Sequence, residues 1–75
     1  MTMFIDKFRE YAPCLLRLDF GTPEHGPATW YIDETGKAHT ISFKAFSERS
    51  YTAHKSGKRP VVQDHEFFVA LIYPL

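Results

Sequence analysis

Five of the nine basic residues, Lys44, Arg49, Lys55, Lys58 and Arg59, fall within one sixteen-position segment that holds a single acid, Glu48. The segment carries +4 (five cations, one carboxylate) and the rest of the chain carries −4 (four cations, eight carboxylates). The protein is neutral in sum and polarised in layout, and segregated charge steers a partner of opposite sign even where net charge does not. The chemistry open to such a segment is recognition. Its cations neutralise carboxylates or phosphates, and Tyr51 or His54 offers a ring to stack against a base. The expected partner-binding residues are Lys44, Arg49, Tyr51, Lys55, Lys58 and Arg59, with Tyr31 as a second aromatic anchor, because exposed tyrosines are favoured at interfaces.

No catalytic constellation matches this charge pattern. His25, His39, His54 and His65 lack the paired spacing of a zinc site, and Asp64-His65-Glu66 places neighbours on opposite faces of an extended strand. No metal and no cofactor is expected. Ser56-Gly57-Lys58 lacks the first glycine and the hydroxyl residue of a phosphate loop. The sharpest enzymatic arrangement is a metal-free RNA-cleaving site of His25, His54 and Lys58, three loop residues with no ordering motif behind them. A non-enzyme is the stronger expectation. The acids Asp19, Glu24, Asp33, Glu34, Asp64 and Glu66 lie in or beside loops. They form either a solvated rim or a negative surface that mimics phosphate.

Composition sets the scale. Seventy-five residues make one compact domain, here taken as residues 1–75, with a thin core. Aromatic residues are 16% of the chain, too many for a disordered one. The lone cysteine, Cys14, has no internal partner for a disulfide and reads as a small buried hydrophobe. No secretory leader is apparent, and the longest apolar run, Phe67 to Leu75, is too short to span a bilayer. A complete, cytoplasmic gene product without membrane contact is the expectation.

The elements that must position these residues follow from periodicity. Phe4, Phe8 and Tyr11 repeat at helical spacing, with Thr2 as N-cap and Pro13 as stop, predicting an N-terminal helix of about three turns. Cys14 to Phe20 alternates as a strand with one buried face. Gly21 to Pro27 is a loop. Ala28 to Asp33 and Ala38 to Lys44 form a hairpin about Gly36, with His39 on the inward face. Ala45 to Lys55 reads as a short helix ending before Gly57, and Ser56 to Arg59 as a basic loop. Val61-Val62 is β-prone, and Phe67 to Tyr73 reads as a buried strand.

The sum is an α+β fold: a small antiparallel sheet of three to four strands, a meander plus a C-terminal strand, with an N-terminal helix packed on it. In that meander the basic segment should emerge beside Glu24 and His25, away from Asp33 and Glu34. The expected function is a small binding protein acting through a macromolecular interface, of the kind that phages and mobile elements use to inhibit a host protein complex. The alternative is a nucleic-acid-binding module using residues 44–59, though a pI near 6.9 is low for one. A protein partner comes first, and a homodimer through an open strand edge is a further option.

Overall fold

The computed structural model describes residues 3–24 and 26–75. It contains one five-stranded antiparallel sheet and one long helix. The strands are β1 (Cys14–Asp19), β2 (Ala28–Ile32), β3 (Ala38–Thr40), β4 (Val61–Asp64) and β5 (Val69–Pro74), arranged β3-β2-β1-β5-β4. The class is α+β, but two expectations need correction. The strands number five, because 61–64 pairs with 69–74 around a tight turn that holds Phe67. The principal helix follows three strands and is not N-terminal.

The N-terminal segment breaks into α1 (Met3–Asp6) and a 3-10 turn, Arg9–Tyr11. A helix this short gains few hydrogen bonds against a costly nucleus. Phe8 is 1% exposed and sits at the break, so tertiary packing overrides a continuous helix there. Thr2, read as its N-cap, lies outside the described residues. α2 (Phe43–Lys55) takes the place expected for the end of the third strand. Ser42 is the reason: its hydroxyl accepts from the Ala45 N–H at 3.1 Å, so the helix starts where alternation would have continued.

Register divides the side chains between two faces. Leu16 lies between Trp30 and Ile72, and Cys14 between Ile32 and Pro74. With Phe8, Leu18, Phe68 and Ala70 they form the main core under the N-terminal segment. The Gln63 side-chain amide donates to the Tyr11 hydroxyl at 2.8 Å and ties that segment to the outer strand β4. On the opposite face Leu15 is fully buried, because α2 lays Phe46 and Ala53 against β1 and β2. β1 is therefore covered on both faces, where its alternation predicted one.

The path of α2 also corrects the placement of the basic loop. β3 exits at the end of the sheet that holds Asp19 and Ala28. Thirteen helical residues then run about 20 Å back along the sheet, roughly a strand length. Ser56 to Arg59 thus emerges at the Cys14 and Pro74 end, the end of the Asp33 turn, and not beside Glu24. His25 lies outside the described residues.

Candidate macromolecular interface

α2 and its C-terminal turn place the expected cations. Lys44, Tyr51 and Lys55 share a stripe with Glu48 at spacings of four, three and four, opposite the buried Phe46 and Ala53. The helix ends in a double reversal. Gly57, at φ 85°, donates to the His54 carbonyl at 3.0 Å, and Lys58 donates to the Ala53 carbonyl at 3.0 Å. This left-handed cap turns the chain sharply and projects Lys58 and Arg59 from the helix end.

None of the five cations is ion-paired with an acid among the described residues. Two of them lie over the tyrosines expected to accompany them. The Arg49 guanidinium is 4.9 Å from the Tyr31 ring centroid, and Lys55 Nζ is 5.7 Å from that of Tyr51. The two rings differ in availability. Tyr51 is 65% exposed, whereas Tyr31 is half-buried and also stacks on His39 at 5.9 Å. Tyr31 therefore acts as a platform that positions Arg49, not as a free anchor.

Two hollows flank α2. One, of about 310 Å³, lies toward the Cys14 end and is lined by Arg49, Ser56, Lys58 and Leu75. The other, of about 280 Å³, is a groove between α2 and β5, lined by Arg17, Ser47, Tyr51, His54, Leu71 and Tyr73 among others. His54 borders the groove and Lys58 the first hollow, and His25, the third residue of the RNA-cleaving arrangement, lies outside the described residues.

Arg17 is the residue that alternation alone did not single out. It stands mid-strand between Thr29 and Leu71, with its side chain 28% exposed. The Phe43 ring lies 5.2 Å from its guanidinium. Asp19 lies 3.8 Å from Nη2, a loose ion pair, and Nε has no hydrogen-bond partner among the described residues. A partly desolvated guanidinium with unused donors favours a carboxylate or phosphate ligand. Its sequence signal is a single cation inside the apolar run Cys14-Leu15-Leu16-Arg17-Leu18. Beside it, on the same sheet face, Val62 and Val69 are exposed at 60% and 37%.

The acidic turn is used internally. Asp33 accepts from the Thr35 N–H and hydroxyl and from the Lys37 N–H, and its second oxygen lies 2.9 Å from His39 Nε2. The Thr35 hydroxyl, then His39, hold its carboxyl well below the usual carboxylate range. His39 is exposed on this strand, not in the core as alternation suggested. Among the described residues no group of three or more His, Cys, Asp or Glu is placed to hold a metal ion, and no helix is long and apolar enough to cross a membrane.

The chain matches no family model, no curated protein and no solved structure.

Proposed function

We propose that this chain is a non-enzymatic binding protein that engages an acidic, partly apolar surface of another protein. Lys44, Arg49, Tyr51, Lys55, Lys58 and Arg59 form the rim of the interface, and the Arg17 groove receives a carboxylate. The observation that carries the reading is the set of cations along α2 with no acid partner among the described residues, beside a groove where Arg17 Nε makes no hydrogen bond to any of them. Exposed Val62, Phe43 and Tyr51 beside those cations favour a protein partner over a phosphate backbone, since protein interfaces combine apolar cores with charged rims. Occupying an acidic working surface of a larger complex is how a small inhibitor of phage or mobile-element type would act, and that is the specific form of the proposal.

The test is affinity capture from a lysate of the source cells with three baits: wild type, Lys44→Glu/Lys55→Glu and Arg17→Ala. A stoichiometric protein held by wild type and lost from both variants supports the reading. Capture indifferent to these changes moves the interface elsewhere. If the retained material is nuclease-sensitive, and a labelled oligonucleotide shifts with steep salt dependence, nucleic acid replaces protein as the partner.

A further inference from the structure

We propose that β4 pairs edge to edge with β4 of a second copy of this chain, forming a two-fold dimer with one continuous ten-stranded sheet. The surface shares Lys58, Arg59 and Val62 with the proposed partner interface, so the two contacts would compete, but the inference does not depend on that interface.

β4 ends the sheet, and the direction of its free backbone groups follows from the ladder. The His65 N–H donates to the Phe68 carbonyl at 2.8 Å, which makes that opposed pair a hydrogen-bonded one. Alternation then directs Gln63 and Val61 inward to β5 and leaves the N–H and C=O of Val62 and Asp64 facing outward. Among the described residues no element pairs with that edge. The Val62 side chain is 60% exposed.

The flanks of β4 are complementary to themselves when reversed. Lys58 and Arg59 precede the strand, and Asp64 and Glu66 close it. Antiparallel self-pairing with Val62 opposite Val62 of the second copy sets Lys58 opposite Glu66 and Arg59 opposite His65. It joins the outward groups of both Val62 residues and buries their side chains against each other. Centring on Asp64 would oppose two carboxylates, which is unfavourable, and centring on Gln63 would set Lys58 and Arg59 opposite phenylalanines, so the valine register is the one that opposes unlike charges.

The other edge offers less to a second copy. β3 is three residues long, and Ser42 turns the chain into α2 directly after it, so few outward backbone groups are available there. The two-fold axis of a β4 pair stands perpendicular to the sheet. Both α2 helices then lie on one face, with Leu71 and Val62 of each copy between them.

Sedimentation equilibrium from micromolar to millimolar protein, at low salt, tests the pairing. Wild type should show a monomer–dimer equilibrium. Lys58→Glu and Glu66→Lys should each weaken it about tenfold, because each change places two like-charged pairs in the dimer. The double variant should restore it. Circular dichroism checks that each variant folds, which exposure at both positions favours. Hydrogen exchange gives an independent reading: the Val62 and Asp64 amides should slow with rising concentration, while Gln63 stays protected throughout. A monomer at millimolar concentration, single variants that dimerise like wild type, a double variant no better than the singles, or concentration-independent exchange at Val62 would each overturn the proposal.

Discussion

The Arg49 guanidinium lies 4.9 Å from the centre of the Tyr31 ring, joining the middle of α2 to the middle of β2. His39 stacks against the same ring at 5.9 Å, so one tyrosine ties together α2, β2 and the edge strand β3. The contact also presents Arg49 to the hollow it shares with Lys58. Tyr31→Leu should therefore cost about 0.5–1 kcal/mol of stability, the usual worth of an exposed cation–π contact, and release Arg49 from its position. Urea unfolding measures the first effect. Capture of the partner measures the second, and its loss should exceed what the change in stability explains.

The docking of α2 rests on a polar cap and an apolar anchor of unequal weight. Ser42→Ala removes the hydroxyl that accepts from Ala45 and should cost about 1 kcal/mol. Phe46, 4% exposed and packed edge-on to Tyr73 at 6.0 Å, should cost about 3–5 kcal/mol as alanine. In a domain this small that is a large share of the total stability, so Phe46→Ala should unfold at much lower urea, whereas Ser42→Ala keeps a cooperative transition. Equal midpoints for the two variants would show that α2 is not held through Phe46.

What was legible in the sequence was local. Period-two alternation located β1 and β2 within a residue, and Gly36 marked the hairpin between β2 and β3. Gly57 marked the end of α2, although its start at Phe43 was obscured because Ile41 and Phe43 still alternate with Ser42 and Lys44. What escaped was set by contacts distant in sequence. Phe8 is buried against strands and so divides the N-terminal helix. Leu15 is buried because α2, far later in the chain, returns across β1 with its buried Phe46 and Ala53. Of the site, the cation segment and its tyrosines were legible as residues, while the pairing of Arg49 with Tyr31 and the groove around Arg17 needed the register of three strands.

Among the described residues, a long-range hydrogen bond links the N-terminal segment to the outer strand, from the Gln63 amide to the Tyr11 hydroxyl at 2.8 Å. Tyr11→Phe removes the acceptor and keeps the ring. The expected loss is about 1 kcal/mol, since the partner amide is only part-buried. Gln63→Ala should match it, and the double variant should cost no more than the larger single. Additive losses in a double-mutant cycle would show that the two groups are energetically independent.

Cys14 supplies the pH dependence with the clearest sign. Its side chain is fully buried between Ile32 and Pro74, and burial pushes the thiol up to about 11 from an ordinary value of 9.0. The folded protein therefore holds the proton in a range where the unfolded chain has released it. The stabilisation is whole below the unfolded thiol value, declines as pH rises above about 9, and is lost by about 11. Cys14→Ala lacks this titration, so the stability gap between wild type and the variant should narrow on moving from about pH 8 to about pH 10.5. Urea midpoints at the two pH values read the effect directly. In the same samples an aromatic disulfide reagent should label Cys14 slowly in the native protein and rapidly once unfolded, because the buried thiol is both inaccessible and protonated. A gap that does not narrow with pH would mean that the native fold admits the thiolate as readily as the unfolded chain does, contrary to the packing around β1.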